Sequence, residues 1–444
     1  MLHRKDFALT LTWSFSLLIF IACRQSTAHV SVPALKTGES AKGVVVTAHR
    51  LASEVGLDIL KEGGNAADAA VAVQFALAVV YPRAGNIGGG GFMVYRDSTG
   101  KITTLNFREK APLKASHDMY LDSAGHVIRG LSLNGILSAG VPGTVAGLIE
   151  THERLGRLQP FSKLVEPAIR LAREGFPVTA FEAQRLNENR EAFLKYNTHS
   201  TPFTSKKEWK EGDLLVQKDL ARTLEAIAQS GRDGFYSGKN ADLLDAFSKK
   251  HHGLITKEDL SAYKAVWQPP FVIHWRGYDL YTMDLPSSGG IVLGQILKMI
   301  DQGLIDSLGN RHIQNVHLIL EAERRAYQDR AAFLGDRDFY TVPVDSIMSD
   351  SYLKMKIADF DPIHATPSQA LGKDENQMHR ERYETTHISI VDSSGNAVSV
   401  TTTLNNNYGS KVWVPGGGYF LNDEMDDFSV KPGEPNLFGL IGNE

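Results

Sequence analysis

The segment most informative about the fold is "TTHISIVDSSGNAVSVTTTLN", residues 385–405. Polar and apolar side chains alternate through 385–392 and again through 396–405, and this period of two is typical of β-strands. Between the two runs stands "SSG", a three-residue loop in which Gly395 can take the left-handed conformation that such turns need. The sequence therefore predicts a β-hairpin.

The turn determines which residues face each other across the hairpin. Ile388 faces Val400 on an apolar side, whereas Thr385 faces Thr403 on the other side, with Asn405 one step beyond. A slip of one residue would destroy the apolar match. Because threonine is a good strand former, a half-exposed hairpin without a function is an alternative at this point. The remaining polar side chains pair His387 with Thr401 and Ser389 with Ser399.

The bulk composition excludes one class of partner. The chain has 444 residues, of which 42% are hydrophobic and 22% are charged, so we expect a large core in one or two domains. The net charge is −4 and the basic residues form no stripe. Nucleic acid is therefore not expected as a partner.

The first 23 residues resemble an export signal. Basic residues precede an uncharged run, 7–22, which is short for a membrane-spanning helix and typical of a secretory signal peptide. The run leads into "IAC", which resembles a bacterial lipoprotein cleavage site with the lipid on Cys23. A plain signal peptide or membrane anchor with an incidental cysteine is the alternative. Cys23 is the only cysteine, so neither an intrachain disulfide nor a thiolate zinc site is expected, and 24–42 is predicted to be a linker.

Local patterns beyond residue 43 predict both helices and strands. Gly63 ends one helix and Asn65 caps the next, which covers about 66–80 and is apolar on nearly all sides, so we expect it to be buried. The charged residues of a later helix, among them Glu321 and Arg325, are expected to form a solvated face. Further predictions are strands around 92–94 and 102–107, a mainly helical region over 140–265, a strand and loop at 274–290, two amphipathic helices within 290–334, and an exposed segment over 358–384.

Two glycine-rich segments have no phosphate-binding spacing. "GNIGGGG", residues 85–91, lacks the G-x-G-x-x-G pattern, and no Lys-Ser/Thr pair follows it. We expect this segment to let the backbone pass close to an active site. "PSSGG", residues 286–290, is interpreted as structural.

The hairpin closely resembles the junction of the two subunits in γ-glutamyltranspeptidases, which are N-terminal nucleophile hydrolases. The resemblance covers about residues 43–444. It extends, in the order found in that family, to "GGNAADAAVAVQFALAVVYP", "AGNIGGGGFMVY", "NFREKAP", "SAGVPGTVAGL", "LPSSGG", "EAERRAYQDRAAFLGDRDF" and "LNDEMDDFSVKPGEPNLFGLIG".

The resemblance implies a fold and a maturation step. The fold is an α/β (α+β) four-layer αββα sandwich, with helices on both faces of two stacked sheets. The chain would be an inactive precursor that cleaves itself between Glu384 and Thr385, giving a large subunit, 43–384, and a small subunit that begins at 385. Cleavage would free the α-amine of Thr385, which can then act as the general base for its own hydroxyl.

The resemblance also implies roles for individual residues. Thr385 would be the nucleophile and Thr403 would hydrogen-bond it. Arg108 would bind the α-carboxylate of a γ-glutamyl substrate, because a guanidinium fork fits a carboxylate. Without the resemblance, Arg108 would be interpreted as a surface ion pair and Asp427 as a helix cap. The substrate's α-amine would lie near Asn405, Glu424 and Asp427.

The implied activity is γ-glutamyl transfer and hydrolysis, with no cofactor and no metal. The donors would be glutathione and other γ-glutamyl compounds, and the acceptors water, amino acids or dipeptides. The two subunits would form a heterodimer in the periplasm or on a lipid anchor at the outer membrane. The alternatives are an acylase or poly-γ-glutamate depolymerase of the same superfamily, and a non-catalytic binding protein or fragment.

The family pattern also raises an expectation about completeness. The resemblance puts a serine pair and an oxyanion-binding glycine pair further along the small subunit than residue 444, so 385–444 is expected to be only the N-terminal part of that subunit. Because oxyanion donors are often worth roughly 3 to 4 kcal/mol each, the chain as given is expected to be inactive. Phe438 lies in a segment that resembles the substrate lid, where looser closure is expected.

Overall fold

The hairpin has the predicted register. The computed structural model describes residues 42–301, 312–371 and 385–434, together with Ser40 and Asn436. Across the hairpin, Thr385 lies opposite Thr403 and Ile388 lies opposite Val400. The apolar positions are buried, as the alternation predicts.

The hairpin lies in the middle of a six-stranded sheet formed by the described residues. All neighbouring strands of this sheet are antiparallel, in the order β1-β9-β10-β2-β3-β6. Two further two-stranded sheets pair β4 with β5 and β7 with β8. The strands are β1 (Gly43–Val46), β2 (Gly90–Arg96), β3 (Ile102–Asn106), β4 (Phe176–Pro177), β5 (Leu214–Leu215), β6 (Val266–Gln268), β7 (Phe271–Trp275), β8 (Tyr278–Thr282), β9 (Thr385–Asp392) and β10 (Ala397–Thr403).

Helices dominate the chain between β3 and β6, as predicted for 140–265. Two more long helices follow β8. The helices are α1 (Arg50–Lys61), α2 (Ala66–Val80), α3 (Thr144–Leu155), α4 (Ser162–Glu174), α5 (Ala180–Tyr196), α6 (Lys218–Ser230), α7 (Asp233–Tyr236), α8 (Gly238–Lys250), α9 (Lys257–Ala262), α10 (Gly289–Ile300), α11 (Ile313–Phe333), α12 (Val344–Ile347) and α13 (Asp350–Lys356). None of the helices in the described ranges is both long enough and apolar enough to cross a membrane.

One face of the sheet is covered by helices. Ile388, Val400, Met93 and Leu105 form a row across four strands, and each is at most 1% exposed. Helix α2 packs against β9 and β10, and α3 packs against β2 and β3. Every residue of α2 is buried, and Asn65 caps it in a capping box, so both predictions for this helix are confirmed.

The opposite face of the sheet is partly open in the described residues. Val46 is 57% exposed and Val391 is 44% exposed, and the polar side chains of His387, Ser389 and Ser399 lie on the same face. The described residues therefore form a helical layer on one sheet. The mixed helix-and-sheet class predicted from the sequence is confirmed.

Two local predictions differ from the structure. Residues 274–290 were expected to hold one strand and a loop, but β7 and β8 form a hairpin with left-handed Arg276 and Gly277 at its turn. The charged face of α11 is solvated only in part, because Glu321 is 2% exposed and Arg325 is 1% exposed, whereas Glu323, Arg324 and Arg330 are half-buried. Glu321 and Arg325 pair with each other while buried, which helical spacing alone does not distinguish from a pair on the surface.

Candidate active site

Two threonines meet at the open end of the hairpin. Thr385 begins β9 and Thr403 ends β10, and their Oγ1 atoms are 3.4 Å apart. This distance is longer than an ideal O–H···O bond. Thr403 Oγ1 accepts a hydrogen bond from the backbone N–H of Asn405 at 3.0 Å, so its own proton can be donated to Thr385. Thr385 is exposed, so its hydroxyl is accessible from solvent.

Asn405 connects the hairpin to the acidic segment that follows. Its φ is +76°, in the left-handed region that asparagine adopts more readily than most residues. Its Nδ2 donates to the carbonyl of Asp423 at 3.0 Å, and the N–H of Asp423 donates to the carbonyl of Leu404 at 3.0 Å. Within the described ranges no group donates a hydrogen bond to Asn405 Oδ1. This oxygen is therefore available to a ligand.

Glu424 and Asp427 hold one guanidinium between them. They begin and end a short 3₁₀ turn, in which side chains three residues apart point the same way. Nη2 of Arg108 lies 2.7 Å from Glu424 Oε2 and 2.7 Å from Asp427 Oδ2. Glu424 is buried, whereas the Asp427 side chain is 34% exposed. The structure thus brings together three of the residues that the sequence analysis assigned to substrate binding.

The backbone around Arg108 is held on both sides. Its N–H donates to Asn106 Oδ1 at 3.0 Å, and its carbonyl accepts from the hydroxyl of Tyr263 at 2.7 Å. The Arg108 side chain is 25% exposed, and its guanidinium carbon lies 5.7 Å from the centre of the Phe92 ring. Both of its 2.7 Å bonds use Nη2, so Nη1 has no hydrogen-bond partner among the described residues. That nitrogen is free to meet a carboxylate.

The sequence analysis missed Glu109. Its carboxylate is buried, its Oε2 lies 3.6 Å from Nε of Arg108, and neither of its oxygens accepts a hydrogen bond in the described part of the chain. Burial raises the pKa of Glu109 to about 7, although the Arg108 charge opposes this. The signal in the sequence was its position directly after Arg108 in "NFRE".

The carboxyl groups of this cluster are not fully compensated for their burial, and an added cation would compensate them. Burial opposes the charge on Arg108, but Glu424, Asp427 and Glu109 outweigh this effect and raise its pKa. Burial also raises the pKa of Glu424 well above its ordinary value, with Arg108 acting against the shift. Oε1 of Glu424 is buried and accepts no hydrogen bond from the described residues. One guanidinium among three carboxyl groups leaves room for both an ammonium and a carboxylate, which is the head of an amino acid.

The glycine loop at 85–91 passes close to the hairpin end, as predicted. A Cβ on Gly89 would lie 2.1 Å from the carbonyl oxygen of Thr403. A Cβ on Gly88 would lie 2.1 Å from the carbonyl oxygen of Phe420. Glycine is required at both positions because the backbones touch there.

Some predicted residues lie outside the described ranges. These are Cys23, Glu384 and Phe438, together with the signal segment 1–23 and nearly all of the linker 24–42. The roles predicted for them stay predictions. In the described portion of the chain, no group of His, Cys, Asp or Glu side chains has the arrangement of a metal site.

Comparison with known proteins identifies the family to which the chain is similar. The profile described as gamma-glutamyltranspeptidase matches residues 52–444. The glutathione hydrolase proenzyme of Pseudomonas aeruginosa is 47% identical over 405 residues, which are 90% of this chain and 71% of that protein.

Solved structures share the fold. The crystal structure of Helicobacter pylori γ-glutamyltranspeptidase superposes with a TM-score of 0.73 at 45% identity, covering 78% of this chain and 99% of that one. The cephalosporin acylase from Bacillus halodurans superposes with a TM-score of 0.78 at 26% identity, covering 93% and 76%. The predicted N-terminal nucleophile hydrolase fold is therefore confirmed, and so is the prediction of an enzyme. The chain belongs to the γ-glutamyltranspeptidase family.

Proposed function

We propose that this protein is made as a proenzyme, cleaves itself before Thr385, and then acts as a glutathione hydrolase and γ-glutamyltranspeptidase through the Thr385 hydroxyl. The observation that carries the proposal is the pair of Thr385 and Thr403 at the open end of the hairpin, 3.4 Å apart. Asn405 and Asp423 connect that pair by backbone and side-chain hydrogen bonds to the turn that holds Arg108.

Self-cleavage needs no group outside the chain except water. The Thr385 oxygen attacks the carbonyl carbon of Glu384, the peptide C–N bond breaks, and the released nitrogen takes up the hydroxyl proton. The resulting ester is hydrolysed by water, which leaves the Glu384 carboxylate and restores the Thr385 hydroxyl. The products are the large subunit, 43–384, and the small subunit, which together form a heterodimer.

Turnover then uses the newly formed amine. An α-amine has a pKa of roughly 8, so a fraction is neutral near pH 7 and can accept the Thr385 hydroxyl proton. The oxygen attacks the γ-amide carbonyl of the donor, the leaving amine takes up the proton, and a γ-glutamyl ester forms. Thr403 supports the nucleophile by donating its hydrogen bond. Water or the amine of an acceptor amino acid or dipeptide then breaks the ester.

The charged cluster would bind the amino-acid end of the donor. Nη1 of Arg108 accommodates the α-carboxylate, because Nη2 is already used by Glu424 and Asp427. The α-ammonium lies against Glu424 Oε1 and Asn405 Oδ1, which have no hydrogen-bond donor among the described residues. An ammonium there neutralises a carboxylate that is otherwise buried without full compensation.

We also propose a location for the enzyme, based on its first 23 residues. An export signal that ends at Cys23 supports a periplasmic enzyme or a lipoprotein anchored at the outer membrane. A globomycin-treated culture that accumulates an uncleaved precursor would support lipidation of Cys23, and normal processing in that culture would oppose it.

The proposal is tested by replacing Thr385 with alanine in the full-length protein. The expected result is one uncleaved polypeptide on a denaturing gel, with no hydrolysis of γ-glutamyl-p-nitroanilide. Ser389→Ala, on the same face of β9, is the matched control and should process and hydrolyse normally. Two polypeptides and retained hydrolysis in Thr385→Ala would contradict the mechanism.

The same assay separates this function from that of an acylase. Glutaryl-p-nitroanilide differs from the γ-glutamyl compound only by lacking the α-amine. If Glu424 and Asn405 bind that amine, the glutaryl compound should be hydrolysed at least about tenfold less efficiently. Equal efficiency would favour an acylase such as the one from Bacillus halodurans.

A further inference from the structure

A buried asparagine in the glycine loop holds the end of β10. Asn86 is 5% exposed, and its Nδ2 donates to the carbonyl of Thr403 at 2.8 Å and to the hydroxyl of Thr402 at 3.1 Å. Its Oδ1 accepts from the N–H of Gly89 at 2.9 Å and from the hydroxyl of Thr144 at 2.6 Å. One amide thus ties the strand that carries Thr403 to the glycine loop and to the first residue of α3.

A second buried asparagine holds the acidic turn. Asn422 is completely buried, and its Nδ2 donates to the carbonyls of Gly88 at 2.9 Å and Gly140 at 2.8 Å. Its Oδ1 accepts from the N–H of Gly140 at 2.8 Å and from the N–H of Glu424 at 3.1 Å. All four hydrogen-bonding positions of this amide are used, and one of them sets the start of the turn that carries Glu424.

The two amides act on different halves of the site through one shared loop. Asn86 and Gly88 belong to the same segment, 85–91, so the loop touches both the nucleophile strand and the acidic turn. Among the described residues, no hydrogen bond joins Asn86 to the acidic turn, and none joins Asn422 to Thr403. Each asparagine therefore makes direct hydrogen bonds to only one half of the site.

We infer that Asn86 and Asn422 are positioning residues with separable effects: Asn86 sets the position of Thr403 against Thr385, and Asn422 sets the position of Glu424 against Arg108. The inference rests on the proposed function. The nucleophile half determines how fast bound donor reacts, and the acidic half determines how well the donor binds.

Both positions require an amide. A carboxylate of the same shape at position 86 would place an anion against the carbonyl oxygen of Thr403, where the amide now donates. At position 422 it would face two carbonyls, those of Gly88 and Gly140, in the same way. Substitution by aspartate therefore replaces hydrogen-bond donors with repelling oxygens without opening a cavity, so that the carbonyls now held by the amide are released.

The test compares Asn86→Asp with Asn422→Asp in γ-glutamyl-p-nitroanilide hydrolysis and in self-cleavage. Asn86→Asp should lower kcat by about 10- to 100-fold, because small misplacements at a reacting centre are costly, while KM changes less than about threefold. Self-cleavage should slow as well, because it uses the same threonine pair. Asn422→Asp should raise KM by about tenfold or more and leave the self-cleavage rate unchanged, because that step binds no donor.

Asn65→Ala is the matched control. Asn65 caps α2 and bonds the carbonyl of Leu155, with no contact to either half of the site, so its replacement should lower the melting temperature and leave kcat and KM unchanged. All values are referred to folded protein, measured by circular dichroism. The inference is wrong if both aspartate variants change the same parameter, or if both behave like Asn65→Ala. The proposed function fails by a different result, activity in Thr385→Ala.

Discussion

Arg108 and Arg325 each lie among carboxylates, and the two clusters differ in how many of their hydrogen-bonding groups are paired. Arg325 on α11 uses every donor it has. Its Nε bonds the carbonyl of Lys356, its Nη1 bonds the carbonyl and carboxylate of Glu321, and its Nη2 bonds Asp359 and Thr366. This cluster is complete without a ligand.

The Arg108 cluster is incomplete. Nη2 makes both 2.7 Å bonds, to Glu424 and Asp427, while Nη1 has no hydrogen-bond partner in the described ranges. Oε1 of Glu424 and both carboxylate oxygens of Glu109 are buried and accept no hydrogen bond there. Buried polar groups in folded proteins are normally paired, so unpaired ones call for an explanation.

The pKa values of the two clusters move in opposite directions. Burial of Glu321 is outweighed by hydrogen bonds from Thr366 and Arg325 and by the charge of Arg324, which lower its pKa to about 2. Burial prevails at Glu109 and raises its pKa to about 7. We conclude that an arginine–carboxylate cluster contributes to stability when all its hydrogen-bonding groups are paired, and to ligand binding when some are not.

The largest effect expected from this comparison is on stability. Arg325→Ala leaves the Glu321 carboxylate buried without its partner, so the free energy of unfolding should fall by about 3–5 kcal/mol in urea titration. Arg50→Ala removes an exposed ion pair with Glu54 and should change the free energy little. Equal losses in the two variants would contradict the structural role of the Arg325 cluster.

Arg108→Lys should instead affect binding. An ammonium lacks the planar fork, so KM for γ-glutamyl-p-nitroanilide should rise by about tenfold or more, while the urea midpoint stays close to that of the unmodified protein. Arg96→Lys, at the exposed end of β2, serves as the control with unchanged KM. If Arg108→Lys unfolded as readily as Arg325→Ala, the two clusters would contribute alike to stability, which would contradict the comparison.

The smallest expected effect is on the pH dependence of the free energy of unfolding, to which Glu109 and Glu321 contribute slopes of opposite sign. Between pH 4.5 and about 7, folded Glu109 holds a proton that the unfolded chain has released, so its contribution to the free energy of unfolding decreases as the pH rises. Between about pH 2 and 4.5, the unfolded chain holds a proton that folded Glu321 has released, so stability is lost as the pH falls.

Each slope is measured with a glutamine variant, by urea unfolding at a series of pH values. With Glu109→Gln, the free energy of unfolding should fall less steeply between pH 4.5 and 7. With Glu321→Gln, it should fall less steeply as the pH drops below 4.5. Identical pH profiles for the two variants would show that the clusters are electrostatically alike.

Much of the fold was predictable because the decisive signals are local. The alternation in 385–405 and the glycine turn specify the register of the hairpin, and Asn65 with Asp68 specifies the start of α2. The turn at Arg276–Gly277 was missed, because a non-glycine residue in the left-handed conformation gives a weak signal.

The site was predictable only in part. The resemblance to a family supplied the roles of Arg108, Glu424 and Asp427. From the residues alone, Arg108 would have been interpreted as a surface ion pair and Asp427 as a helix cap. Glu109 and the two amides Asn86 and Asn422 were missed, because each takes its meaning from partners far away in the chain. The Thr402 and Thr403 contacts of Asn86, for example, span more than 300 residues.

By itself, the sequence determined the strand pattern, the hairpin register and the helix caps, since these depend on side chains within a few residues of one another. Tertiary structure alone decided which charges are satisfied. Glu321 and Glu424 both lie near an arginine, but the carboxylate of the first accepts hydrogen bonds from three donors and the second leaves a buried oxygen without a hydrogen bond from the described residues. Burial and partner geometry, which no local pattern encodes, separate a structural ion pair from a binding site.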